Sequence, residues 1–385
     1  MTTLSASSSR PADTSFAVAA TLVAVVVFLV GWGVLHRGFF THDAIVDTPV
    51  YERYGSAIDS GRVPYRDFVL EYPPGALPVF ALPALGGAHG DVFRRRFELL
   101  MAFLGEVMVI CVAVALVALG AGRRWLLAAL GFVALAPVAL GPAAVAAKLY
   151  PVVLVPLTIG YVWKREGRRE ALVCGGLLLA VLVAVFIPFV VLAPHGVWES
   201  VWSQGSRPLQ IESLGAAFLL NGHHVFGYAL TMDSSHGSQN LAGAGADAFA
   251  VALSVLQLAA LVATWILFAR GPATRERLLL ASAAALVAFV ALGKVLSPQF
   301  LIWLIAVVPL VSGRRGLIAS MLLAATLVVT QLWFPYRYWD LALHFGALET
   351  WLVLVRDLLL VALFALLASG LVDRDPESLT VHSAA

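Results

Sequence analysis

The amino-acid sequence predicts an all-α polytopic membrane protein, a bundle of about ten transmembrane helices whose long first outer loop carries juxtamembrane helices. Three observations lead there. Of the 385 residues 61% are hydrophobic and only 12% charged, with a mean hydropathy of +0.90, roughly half the charge of an ordinary soluble domain. Apolar runs of about 15 to 24 residues follow one another along the chain. Basic residues then recur in alternate connections between those runs.

In chain order, 1–15 is polar and rich in Ser and Thr and reads as a disordered cytoplasmic tail. Phe16–Gly33 is the first span, and it lacks a small-residue cleavage site, so it reads as an anchor rather than a cleaved signal. After the first outer loop, 34–98, spans are expected at Leu99–Leu119, Leu126–Leu140, Leu149–Trp163 and Ala171–Ala193. A second large outer loop, 194–247, leads to Ala248–Ala269, Leu278–Leu292, Phe300–Val311, Leu317–Phe334 and Trp351–Leu371. Phe300–Val311 must extend into its flanks to cross at about 1.5 Å per residue. Residues 16–371 thus form a single domain, and 372–385 is a second disordered cytoplasmic tail.

Arg123-Arg124, Lys164-Arg165 with Arg168-Arg169, Arg270 with Arg275 and Arg277, Arg314-Arg315 and Arg374 all fall on one side of this arrangement. The positive-inside rule makes that side cytoplasmic, which places both termini inside and the chain in the cell membrane as a multi-pass protein. Arg94-Arg95-Arg96 are the exception, outside by the same count. The apolar segment Gly75–Gly87 tempts a further span, but one there would reverse every later loop, so it reads as an interfacial or re-entrant helix.

A net charge of +2 gives no reason to expect nucleic acid, and Cys111 and Cys174 lie inside apolar runs as packing residues. No internal repeat or glycine-rich phosphate loop is present, and Ser234–Gly245 is the best candidate for a mobile loop.

The unusual polar residues gather on the outer face. Group transfer to a hydroxyl needs a base, and Asp47, a short way past the first span, is the candidate. Asp47-Thr48-Pro49 is equally a helix start signal, with Asp47 as N-cap of a helix over Val50–Ser60. Asp43 is the rival base, and His42-Asp43 alone are too few for a metal site. A phosphate leaving group needs cations, for which Lys148, Arg207 and Arg337 are candidates, although Lys148 also suits snorkelling to headgroups. Arg94 and Arg95, with Arg96, suit a lipid phosphate or a plain interfacial anchor. Tyr51, Tyr65, Glu71, Tyr72, Gln210, Glu212, Gln299 and His344 are candidates for binding a sugar or acceptor, while the tyrosines also fit an aromatic belt. His223-His224 read as a solvated loop pair, and Glu106 must face the bundle.

Asp47-Thr48-Pro49-Val50-Tyr51, Gly61-Arg62-Val63-Pro64-Tyr65 and Glu71-Tyr72-Pro73-Pro74-Gly75 together resemble the first outer loop of GT-C glycosyltransferases, and most of all glycosyltransferase family 87, the polyprenyl-phosphate-mannose-dependent mannosyltransferases of actinobacteria. Lys148-Leu149-Tyr150-Pro151, Arg207 to Leu214 and Ser297 to Trp303 are similar to segments of the same proteins, so the resemblance runs from about residue 40 to about 360. It implies a GT-C-like fold and an inverting transfer of a sugar, with mannose the expected one, from a polyprenyl-phosphate donor to a lipid or glycan acceptor on the outer face. Asp47 falls where the family places its base, Tyr51 follows four residues on, and no cofactor or metal is expected. Asp43 departs from the single-acid pattern and stays a candidate. The reading from another class is a transporter or lipid-linked sugar flippase, which should place ionisable groups near mid-membrane and repeat its halves. A structural assembly partner is the third.

Overall fold

The computed structural model describes residues 11–34, 47–135 and 150–373. They are mostly helical. Helix α1 (Thr14–Val34) is followed by α2 (Thr48–Asp59), a 3-10 turn at Pro74–Ala76 running into α3 (Leu77–Ala84), α4 (Gly90–Ala118) and α5 (Arg123–Leu135). A 3-10 segment at Tyr150–Leu154 opens α6 (Val155–Arg165), and α7 (Arg168–Leu192) turns directly into α8 (Pro194–Gly205). Strand β1 (Leu209–Gln210), α9 (Leu214–Phe226), β2 (Thr231–Ser235) and β3 (Ser238–Ala242) come next. The last part holds α10 (Ala244–Arg270), α11 (Arg275–Ala291), α12 (Leu301–Val307) between 3-10 turns, α13 (Gly313–Gln331), α14 (Tyr338–His344) and α15 (Ala347–Val372). Helices α1, α4, α7, α10, α13 and α15 are long and apolar enough to cross a membrane.

Helix α11 is the axis. Its run from Ala283 to Ala288 is fully buried, and four alanines in that run let α10 and α15 pack close against it. Helix α7 is the opposite case, apolar all round with Ala171 its one buried residue, as a helix surrounded by lipid should be. A second, smaller core joins α2, α3 and the start of α4, where Tyr51 stacks between Phe80 and Phe97 at 5.2 and 5.4 Å.

The helix ends sort into two groups. At one, the base end, cations close the helices: Arg275 donates to the Ala118 carbonyl at 3.0 Å, Lys164 to Gly271 at 2.8 Å, and Arg277 to Leu267 and Leu371, both at 2.8 Å. Arg123 pairs there with Asp13, and Arg315 with Asp373 at 2.6 Å. These carbonyls lack intrahelical partners, and a cation is the favourable group to offer them. The opposite end collects α2, α3, α8, α9, the strands and α14.

Several expectations change. The chain is mostly helical but carries one small addition, an antiparallel sheet in which β1, β3 and β2 follow in that order. The expected mobile loop at Ser234–Gly245 is largely its hairpin, because His236 and Gly237 both take positive φ (54° and 65°) and so make the tight two-residue turn that strand twist favours. His223 and His224 lie in the last turn of α9, not in a loop, and donate through Nδ1 and Nε2 to the carbonyls of Tyr228 and Phe345. Arg94, Arg95 and Arg96 belong to α4, which begins nine residues before the expected span, so they sit on a continuous helix. Phe300–Val311 is broken by 3-10 turns at both ends, where Pro298 and Pro309 interrupt the α pattern.

Candidate active site

Asp47 occupies the N-cap position of α2, and its backbone carbonyl accepts from the amides of Val50 and Tyr51 at 2.9 and 3.1 Å. Its side chain caps nothing. Pro49 removes one of the two amides that an N-cap side chain would serve, and the carboxylate turns away. Its Oδ2 accepts from Gln299 Nε2 at 2.7 Å and from the Tyr51 hydroxyl at 3.2 Å. Tyr72 in turn donates its hydroxyl to that of Tyr51 at 3.3 Å. Burial raises the pKa of both phenols, and the neighbouring Asp47 charge adds to it, so both remain hydrogen-bond donors. The capping alternative therefore gives way to a carboxylate held by neutral donors.

Tyr72 also lines a cavity of about 520 Å³. Asp47 and Gln299 are not among its lining residues; Tyr72, linked to Asp47 through the Tyr51 hydroxyl, and Phe300, next to Gln299 in sequence, are. Three charged side chains face it: Glu71, Arg207 and Lys294. Arg207 is fixed by the hairpin, donating to the His236 carbonyl and to Ser238 Oγ, each at 3.0 Å. Lys294 donates to the Gly205 carbonyl at 2.8 Å, and Gln204 bridges to the Glu71 carbonyl at 3.2 Å. Among the described residues neither cation has a carboxylate within 4 Å. Burial lowers the pKa of both, and for Lys294 the Arg207 charge lowers it further. Two cations that line one partly apolar cavity favour an anion within it. Much of the remaining wall is apolar, with Val152, Phe186, Phe289 and Trp303, the last stacked on Phe300 at 4.5 Å.

Gln210 and Glu212, expected to meet an acceptor, point inward instead. Both are buried, and Gln210 Nε2 donates to Glu212 Oε2 at 2.7 Å. The Glu212 carbonyl accepts from Arg356 at 2.6 Å, while Arg356 Nε lies 2.7 Å from Asp357 Oδ1 and its guanidinium sits over the Trp333 ring. Burial pushes the Glu212 carboxyl up to about 8, against the pull of Arg356. This cluster ties the strand segment to α15, away from the cavity lining.

Arg337 pairs with Glu349 at 3.2 Å, and His344 is exposed at the end of α14. Arg94 pairs with Asp91 at 3.1 Å and lies 3.8 Å from Glu98; Arg95 is exposed. None of these four faces the cavity. Tyr65 and Glu71 do, and the Tyr65 hydroxyl donates to the Tyr72 carbonyl. Asp43, with His42, and Lys148 lie outside the described residues. Sequence reasoning gave no role to Gln204, Ser254 and Gln257, which line the cavity, nor to Arg356-Asp357. The signal was there: Gln257 and the Arg356-Asp357 pair are polar groups inside apolar runs, where such residues rarely occur without a purpose.

No family model, curated protein or solved structure matches the chain.

Proposed function

We propose that this is a membrane glycosyltransferase of GT-C type, moving a sugar, mannose in the first instance, from a polyprenyl-phosphate donor to a lipid or glycan hydroxyl on the outer face of the cell membrane. The observation that carries the reading is Asp47: a carboxylate at a helix start that serves no cap, held through one oxygen by Gln299 and Tyr51. In the proposed reaction the acceptor oxygen bonds to the anomeric carbon from the face opposite the phosphate. The carbon–oxygen bond to the phosphate breaks, that oxygen keeps the electron pair, and the hydroxyl proton is passed along the Tyr72 and Tyr51 hydroxyls, each giving its own proton onward, to Asp47. Arg207 and Lys294 meet the charge that grows on the departing phosphate, and Glu71 with Tyr72 offers an acceptor and a ring face to the sugar.

A chain crossing about ten times with both termini in the cytoplasm is the topology that goes with this reading, supported by the cations gathered at the base end.

The test replaces Asp47 and Asp43 separately by Asn in purified protein reconstituted in vesicles, following label transfer from polyprenyl-phosphate mannose. Asp47→Asn is expected to lose about a hundredfold or more, as removal of a general base does. Near-normal turnover by Asp47→Asn at unchanged protein level overturns the assignment, and loss in Asp43→Asn alone moves the base to Asp43.

A further inference from the structure

Helix α8 has two faces with different surroundings. Val197, Ser200, Val201 and Gln204 line the cavity. Trp198 and Trp202, one turn apart, stack at 6.0 Å on the outside, and each is 63% exposed. Two exposed tryptophans side by side are costly in water and are the side chains best suited to the headgroup layer, where an apolar ring meets a wet surface.

The position of α8 says what covers that pair. It begins where α7 ends, and α7 is the long helix with no buried face above Ala171. The Trp face is therefore continuous with a lipid-covered surface at the level where that surface stops. Both ends of α8 are tied down. Gly196 passes so close to the Tyr65 backbone that a Cβ there would lie 1.9 Å from its carbonyl oxygen, and at the other end Gly205 and Gln204 bond to Lys294 and to the Glu71 carbonyl. Val201 of α8 and Val152 are cavity-lining residues that are also 52% and 60% exposed, and Phe186 of α7 lines the same cavity. The cavity thus opens sideways, next to α7.

We propose that α8 is a membrane-surface helix, seated in the headgroup layer of the bilayer through Trp198 and Trp202, and that it forms one post of a lateral mouth at Val152, Phe186 and Val201. A substrate with a charged head and an apolar tail then reaches Arg207 and Lys294 with its head while the tail stays in the bilayer. The substrate half of this inference rests on the glycosyltransferase reading; the seating of α8 does not.

The first measurement addresses the seating. Cysteines at 198, 202 and, as a control, 199 are introduced singly after Cys111 and Cys174 are replaced by serine, then spin-labelled in reconstituted vesicles of phosphatidylglycerol and phosphatidylethanolamine. Labels at 198 and 202 are expected to be reached better by oxygen than by a water-soluble nickel chelate, and the label at 199 less so. Full access of the chelate to 198 and 202 overturns the proposal. Should those variants fail to fold, quenching by brominated lipid decides: the native chain is quenched and Trp198→Phe/Trp202→Phe is equally quenched if the site is dry of lipid. The second measurement uses transfer kinetics. Trp198→Ala/Trp202→Ala is expected to raise KM for a long-chain donor severalfold, leaving kcat and the KM of a two-isoprene donor unchanged; equal effects on both donors overturn the lateral mouth. Absence of transfer by the native chain from either donor defeats the glycosyltransferase reading, and the spin-label depths still judge α8.

Discussion

Gln299 and Asp47 are 252 residues apart in sequence and meet at 2.7 Å, amide nitrogen to carboxylate oxygen. The bond joins the 3-10 turn before α12 to the first turn of α2, and it orients the carboxylate without adding charge. Gln299, expected from sequence to touch a sugar, is placed as a positioning residue for Asp47. Gln299→Leu removes the donor and is expected to lower kcat about tenfold to a hundredfold with little change in KM, the range seen when a reacting group is displaced by about 1 Å. Gln299→Glu sets a second carboxylate against the first, and the acid limb of its pH–rate profile is expected to move to higher pH. Steady-state kinetics of both variants across pH 5 to 9 check this.

Lys294 is the cleaner of the two cavity cations to remove, since among the described residues its side chain bonds to the Gly205 carbonyl alone. Lys294→Ala is expected to raise KM for a phosphate-bearing donor about tenfold, about 1.4 kcal/mol. Arg207→Lys is expected to fail as a substitute for Arg207, because an ammonium cannot reach the hairpin carbonyl and Ser238 in the planar geometry a guanidinium uses. Donor titrations of both variants measure the difference.

Glu212 makes stability depend on pH. Its carboxyl titrates near 8 in the folded chain against an ordinary 4.5, so between those values the folded state holds a proton that the unfolded state has released. Stability therefore falls as pH rises through that window. Melting temperature is expected to drop between pH 5 and pH 8.5 in the native chain, and Glu212→Gln, neutral throughout, is expected to flatten that drop. Thermal unfolding in detergent at several pH values, comparing the two proteins, decides it.

Gly196 is a position where no side chain fits, since a Cβ meets the Tyr65 carbonyl. Gly196→Ala is expected to cost about 1–3 kcal/mol, as overpacking does, and to loosen the α7–α8 corner. A lower melting temperature together with faster proteolysis within 193–206 is the expected signature.

The membrane character was legible because hydrophobic length is a local pattern. Asp47 could be proposed but not separated from a cap, since the same Asp-Thr-Pro spells both, and only the direction of the side chain distinguishes them. Gln299 was visible as polar, while its partner was hidden by 252 intervening residues. The hairpin was misread because Ser, Gly and Asn compose tight turns and mobile loops alike, and the positive φ of His236 is not written in its residue type. Gln210 and Glu212 lie between apolar runs, where sequence alone suggests a solvent-facing loop; the cation that draws the segment inward, Arg356, lies within a helix more than a hundred residues on.

The cations at the base end serve two moments in the life of the chain. Lysine and arginine beside a hydrophobic segment bias which way it inserts during synthesis, and here Arg275, Arg277 and Lys164 afterwards bind the carbonyls that end α4, α10 and α15. A single helix threaded the wrong way round would carry its cations away from these carbonyls, so an error in the orientation of one span is also a defect in the packing of its neighbours.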